Sequence, residues 1–323
     1  MEKWSVAATA VTFGRFYKGS VERLEEAGCE VKLNPYGRPL TSEEMVEFAK
    51  DADALIVGND KVPAEVIAQF DYMKVIAKHG VGVDAIDKDQ AHKMGIIVTN
   101  APGTNKEEVA DCAMGFLLMI ARDFYKMVQE TKSKEWIKYP GISMRGKKMG
   151  VIGIGNIGTA FVERAVGFGM GILGYDIVER DRAKELGVTY VDLETLLKES
   201  DFISLHVPLN DKTWHILGKD EFGIMKKGVI LVNTSRSKCV DTEALTEALT
   251  NGTLMGYATD VYDSEPPKWH PFFDLPNVLM TPHIAGTTYD SNKRMGDTAV
   301  DNVIAVKNGE TPPNLITEGG ASR

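Results

Sequence analysis

Cysteine is scarce in this sequence. Its 323 residues hold three, Cys29, Cys112 and Cys239, far apart and odd in number. They draw neither a disulfide framework nor a metal-type spacing, so no metal and a reducing, cytoplasmic setting are expected. Long apolar runs are also missing. Nothing approaches the ~20 residues a membrane helix needs, so no membrane partner is expected. The opening "MEKWSVAATAVTF" carries Glu2 and Lys3 ahead of its apolar part and leads into "GRFYKGS"; it reads as a first buried strand, not a leader. Positive charge is in deficit, with 37 Lys and Arg against 46 Asp and Glu and a net charge of -9. That balance excludes nucleic acid as a main partner. There is no internal repeat and no low-complexity segment.

What is present is a globular composition, 43% hydrophobic and 26% charged. The length exceeds one ordinary core and suits two α/β domains. Short Val/Ile-rich runs alternate with helical patterns, the mark of parallel βαβ units. Strands are expected at 5–12 ("SVAATAVT"), 29–33 ("CEVKL"), 54–57 ("ALIV"), 74–78 ("KVIAK") and 95–100 ("GIIVTN"), with a helix at 20–28 closed by Gly28. One long helix should run from about Asn105 to Val128; its apolar content exceeds a single stripe, which predicts burial between domains. A second series of strands is expected at 147–158, 171–176, 201–209, 228–235, 254–262 and 277–283, followed by a helix at 291–306 that packs back on the first domain. Chain crossings near 101–105 and 285–292 would form a hinge.

The second series opens with "VIGIGNIG", which places Gly153, Gly155 and Gly158 between an apolar strand and a helix. Gly153 permits a tight turn, Gly155 a close approach of backbone to a pyrophosphate, and Gly158 close packing of helix on strand. The amides of Asn156 and Ile157 would face the phosphates from the helix N-terminus. The following strand ends in Asp176, 18 residues after Gly158. An acidic residue there accepts from ribose hydroxyls and repels a 2′-phosphate, and no arginine follows until Arg180. These features predict NAD as cofactor.

Three further polar residues are expected at strand ends of the same domain: Arg236 in "VNTSRSK", Glu265 in "DVYDSEPP", and His283 closing the last strand in "VLMTPHIAGTT". Parallel sheets bind ligands at the carboxyl ends of their strands, so all three could share a crevice. Arginine holds a carboxylate with two parallel donors. Histidine is suited to passing a proton near neutrality. A carboxylate can orient that imidazole. Asp260, in "ATDVY", would face the nicotinamide end. The set describes redox chemistry on a small 2-oxo or 2-hydroxy acid.

At these residues the sequence resembles the D-isomer-specific 2-hydroxyacid dehydrogenases, especially the phosphoglycerate dehydrogenase-like branch. The segments that carry the resemblance are "KHGVGVDAID", "NAPGTNKEEVAD", "GVIGIGNIG", "DFISLHVPL", "VNTSRSKCVD", "ATDVYDSEP" and "TPHIAGTT", which span nearly the whole chain in the family's order. The resemblance implies an α/β protein of two doubly wound parallel-sheet domains. A Rossmann NAD domain, residues 102–287, is inserted in a flavodoxin-like substrate domain, residues 1–101 and 288–323.

It further implies that Arg236 binds the substrate carboxylate and that Glu265 pairs with His283, the acid/base. Val207 and Pro208 would line the adenine side, Thr234, Ser235 and Asp260 the nicotinamide half, and Gly286 would also bind the cofactor. The amides of Val81 and Gly82 would cup the substrate carboxylate. A homodimer through the NAD domain is implied, with residues 122–145 and Trp136 at its interface. Phosphoglycerate dehydrogenases typically carry an arginine just after the strand written here "ALIV", where this chain has Gly58 and Asn59. Lys61, Lys78 and Arg15 could stand in for it, although each reads first as a solvated surface cation. Glyoxylate or hydroxypyruvate are thus expected substrates beside a 3-phosphoglycerate-like one. Alternatives of other classes are an NAD-sensing corepressor-like protein and a formate- or phosphite-type dehydrogenase.

Overall fold

Every residue of "ALIV" at 54–57 is buried, yet its side chains serve two different cores. Leu55 and Val57 face one layer with Met45, Ile67 and Ile76. Ala54 and Ile56 face the other with Leu24, Val75 and Val300. This is the period-2 alternation of a strand covered on both faces, and it explains why such a strand reads as a continuous apolar run. The structure is a computed structural model and describes residues 3–317. It divides into two units, Met1–Asn105 with Thr287–Arg323, and Lys106–Gly286.

The first unit holds β1 (Trp4–Ala8), β2 (Cys29–Leu33), β3 (Ala54–Val57), β4 (Val75–Lys78) and β5 (Ile97–Thr99), all parallel, in the order β2-β1-β3-β4-β5. That is the flavodoxin-like order, with its switch point between β1 and β3. β1 is shorter than the sequence suggests. The amides of Thr9 and Ala10 both reach the Ile56 carbonyl, at 2.9 and 3.3 Å, so the ladder ends at Ala8 and does not continue to residue 12. The helix Tyr289–Lys307 packs Ala299, Val300 and Val303 into the core of this unit, although nearly two hundred residues of chain separate it from β5.

The second unit holds β6 (Lys148–Ile152), β7 (Gly171–Tyr175), β8 (Val188–Tyr190), β9 (Phe202–Leu205), β10 (Val229–Asn233), β11 (Leu254–Thr259) and β12 (Val278–Met280). All pair in parallel, in the order β12-β11-β10-β9-β6-β7-β8. This is the Rossmann order with one strand added, and its switch point lies between β6 and β9. β8 escaped the sequence reading because it is a three-residue edge strand in which only Val188 is buried.

The single helix expected from Asn105 to Val128 is two helices, Lys106–Ala121 and Phe124–Lys132. Asp123 breaks it with φ 50°, in the left-handed region, which a right-handed helix cannot pass through. The first helix was also expected to lie buried between domains. Its apolar side chains, Ala113, Leu117 and Ile120 among them, join Met149, Ile230 and Ala258 in the core of the second unit. Among the described residues no helix is long and apolar enough to cross a membrane.

Candidate active site

The glycine turn after β6 is sterically compulsory at two positions. Gly153 has φ 93°, and a Cβ there would stand 2.7 Å from the carbonyl carbon of His206. A Cβ at Gly158 would stand 2.0 Å from the Gly153 oxygen, inside the backbone of the turn itself. At Gly155 a Cβ would meet nothing within 4 Å, so that glycine leaves the outer face of the turn open. The helix Asn156–Gly167 starts there with no side chain capping it, which leaves the amides of its first turn available to an anion.

Asp176 directly follows β7. Its Oδ2 accepts from the Ile154 amide at 2.6 Å and its Oδ1 from the Val178 amide at 3.1 Å. Each oxygen keeps a lone pair for a ribose hydroxyl. Val207 and Pro208 follow β9. Before them, burial pushes the His206 imidazole down to about 3, and the ring, kept neutral, lies 5.1 Å from Phe161 with Nε2 on Ser204 Oγ at 2.9 Å. The open cradle at Gly155 and a buried, unpartnered Thr234 Oγ1 after β10 fit a dinucleotide laid along this edge of the sheet.

β10, β11 and β12 are consecutive neighbours in the sheet, so the loops that leave their carboxyl ends are neighbours too. Arg236 is in the first of these loops. Asn233, fully buried at the end of β10, shapes it: Oδ1 accepts from the Ser235 amide (3.0 Å) and hydroxyl (2.8 Å), and Nδ2 donates to the Arg236 carbonyl at 2.9 Å. The guanidinium Nη1 donates to the Ser235 carbonyl at 2.7 Å. Glu265 is in the second loop and His283 in the third, and the structure brings them together, His283 Nδ1 lying 2.7 Å from Glu265 Oε1. The carboxylate can only accept, so Nδ1 carries a proton and Nε2 is left to face a reactant.

His283 does not close a strand as expected. β12 ends at Met280, and beyond it the His283 amide turns back to the Thr281 carbonyl at 3.0 Å instead of pairing with β11, so that His283 sits in a tight turn with φ 53°. Asp260 holds that turn. It is 1% exposed and accepts from Thr281 Oγ1 (2.5 Å), the Ile284 amide (2.8 Å) and the Ala285 amide (2.7 Å). Tyr262 adds a fourth bond, its hydroxyl donating to the Thr281 carbonyl at 2.7 Å, and burial pushes its phenol up to about 12. Gly286 is the last residue of this unit. The sequence reading missed the work of Thr281 and Tyr262, and found in Asp260 only a nicotinamide contact; no local pattern marks bonds that join residues about twenty apart.

In the first unit, Val81 and Gly82 follow β4. The Val81 carbonyl accepts from Asn100 Nδ2 at 2.8 Å, which holds that loop against the end of β5. Lys61 and Arg15 are exposed, as expected, but Lys78 is not a solvated cation: it is 7% exposed and its ammonium donates to the Gly58 carbonyl. A Cβ on Gly58 would stand 2.9 Å from Ala10 Cα, so the first position after β3 has no room for a side chain in this backbone. Beneath it, the buried Asp60 carboxylate accepts from Thr9 Oγ1 (2.9 Å), the Leu40 amide (2.8 Å) and the Gly58 amide (3.2 Å). Trp136, expected at a dimer interface, is 83% exposed.

A Rossmann unit that presents a carboxylate-backed histidine on the same sheet edge as its dinucleotide turn defines a class, the nicotinamide-dependent oxidoreductases. Comparison with known proteins narrows it. Residues 114–285 match the family model described as D-isomer specific 2-hydroxyacid dehydrogenase, NAD binding domain. A glyoxylate reductase of Korarchaeum cryptofilum is 42% identical over 289 residues, 87% of each chain. A D-3-phosphoglycerate dehydrogenase of Methanocaldococcus jannaschii is 41% identical over 93% of this chain and 57% of that protein. The D-lactate dehydrogenase of Aquifex aeolicus, solved with NAD and lactic acid, superposes with a TM-score of 0.83 at 30% identity, covering 95% of this chain and 96% of that one. This chain belongs to the D-isomer-specific 2-hydroxyacid dehydrogenases. It is an oxidoreductase that uses NAD to interconvert a small 2-oxo acid and its D-2-hydroxy acid.

Proposed function

We propose that this enzyme reduces a short 2-oxo acid without a distal phosphate, of the glyoxylate or hydroxypyruvate kind, with His283 as the acid. The observation that carries the chemistry is the 2.7 Å contact between His283 Nδ1 and Glu265 Oε1. When bound, reduced NAD supplies a hydride to the carbonyl carbon. His283 Nε2 gives the carbonyl oxygen its proton, and Glu265 steadies the imidazolium before the transfer. The ring ends neutral, its Nδ1–H still donated to the Glu265 carboxylate. Arg236 takes the substrate carboxylate through its forked donors. Asn156, Ile157 and Asp176 hold pyrophosphate and ribose. Asp176 favours NADH over NADPH, because a 2′-phosphate would meet its charge.

The substrate choice is supported by Gly58, where no arginine fits, and by the Asp60 carboxylate directly beneath it. In a spectrophotometric panel with NADH and NADPH, glyoxylate and hydroxypyruvate are expected to be reduced at least tenfold more efficiently than a phosphorylated 2-oxo acid, and with NADH preferred. Equal or better use of the phosphorylated acid would reverse the reading.

We also propose that the enzyme works as a cytoplasmic homodimer joined through the NAD-binding unit. In support, the helix Phe124–Lys132 buries none of its residues, and Phe124, Tyr125, Val128, Trp136 and Ile137 are all exposed within one short stretch. The described cysteines are all free, which suits a reducing compartment. Sedimentation equilibrium is expected to give twice the 35.5 kDa chain mass; a monomer at micromolar concentration would refute the dimer.

A further inference from the structure

The loop that leaves β11 bonds to both of its neighbours. Asp260 and Tyr262 reach the loop after β12, Asp263 reaches the loop after β10, and Glu265 returns to His283. We infer that Tyr262 and Asp263 are positioning residues, Tyr262 setting His283 through the Thr281 carbonyl and Asp263 setting Arg236 through the Ser237 hydroxyl. The inference rests on the reading of His283 as the acid and Arg236 as the carboxylate clamp.

Tyr262 acts on the turn that aims the imidazole. The Thr281 carbonyl accepts from Tyr262 Oη at 2.7 Å and also from the His283 amide at 3.0 Å. That second bond, reaching back only two residues, closes a γ-turn about Pro282, and His283 follows it in a left-handed backbone, which a non-glycine residue adopts at a cost. The three bonds of Asp260 grip the Thr281 hydroxyl and the amides of Ile284 and Ala285. They leave untouched the carbonyl on which the histidine turn closes. Tyr262 holds that carbonyl, with its ring braced edge-on by Phe273 at 6.2 Å.

Asp263 acts on the other side. Its Oδ1 accepts from Ser237 Oγ at 2.6 Å, and Ser237 is the residue after Arg236. Asn233 fixes the start of that loop, and Asp263 fixes its continuation beyond the arginine. The acid and the clamp thus both hang from the segment between Asp260 and Glu265. Glu265 alone cannot set their spacing.

The two residues should fail differently. A misaimed imidazole slows proton transfer, which appears in kcat, whereas a loosened arginine loop weakens carboxylate binding, which appears in KM. Tyr262→Phe, assayed with glyoxylate at saturating NADH, is expected to lower kcat about 3–10-fold, the scale of one lost hydrogen bond, with KM within twofold of wild type. Asp263→Ala is expected to raise the glyoxylate KM about 3–10-fold with kcat within twofold. Asp263→Asn should restore KM, because an amide oxygen still accepts from Ser237. The KM for NADH should not move in any variant, and the melting temperature should fall by no more than a few degrees, the scale of one hydrogen bond. With an active wild type, unchanged constants in both variants, losses in the same constant, or no rescue by asparagine would overturn this inference alone. A wild type inert toward every 2-oxo acid would overturn it together with the proposed function.

Discussion

His283→Ala is expected to lower kcat by about 10²–10⁴, the usual scale for losing a positioned general acid. The expectation follows from three features. The imidazole Nδ1 is 2.7 Å from Glu265, so the proton available for transfer is the one on Nε2. The backbone at φ 53° is held by Asp260 and Tyr262 on the segment that Glu265 ends, so ring and carboxylate share one support. And the ring is about one-third exposed, reachable by a small acid while its Nδ1 stays covered. Alanine removes the acid and leaves the bonds of the loop, which use the backbone and Thr281. The melting temperature and the affinity for NADH should therefore stay near wild type. Turnover within a few-fold of wild type would show that the proton comes from elsewhere, water included.

Arg236→Lys should cost about 10–100-fold in kcat/KM for the 2-oxo acid, the scale of a lost charge-assisted hydrogen bond. Lysine keeps the charge and loses the planar fork, so long-range attraction survives and bidentate geometry does not. The loop gives the substitution little freedom to adapt. The Arg236 carbonyl is held by Asn233 and the next residue by Asp263. An ammonium on a shorter lever therefore cannot be swung into the missing position. The signature to look for is a loss shared by all 2-oxo acids in the panel, because the carboxylate is common to them. A loss confined to one substrate, or none at all, would mean that this arginine reads some other group.

The parts of the site legible in the sequence are those set by short stretches of chain. Three glycines at fixed spacing after an apolar strand specify a dinucleotide turn because each answers a local steric demand, and the structure repeats two of those demands at Gly153 and Gly158. Asp176 was readable because it directly follows the very next strand. Arg236, Glu265 and His283 could be picked out because each follows an apolar run, although the histidine was placed on a strand that stops at Met280. What was not legible lies in bonds across the sheet. Tyr262 to Thr281, Asp263 to Ser237 and Asp260 to Ile284 join residues 19, 26 and 24 apart. Lys78 is a similar case: its charge suggested solvent, and its burial follows from the pairing of β3 with β4, which sets Gly58 beside it.

Composition and periodicity by themselves determined two α/β units and the NAD-type turn, and offered candidates for an acid, its carboxylate and a clamp. All of these depend on contacts between residues close in sequence or on a pattern of period two. Only the tertiary structure decided that the histidine would sit in a left-handed turn, that Gly58 would have no room for a side chain, and that one segment after β11 would tie the neighbouring loops together. Those outcomes depend on which strands lie side by side, and side-by-side order is a property of the folded sheet that no stretch of chain encodes alone.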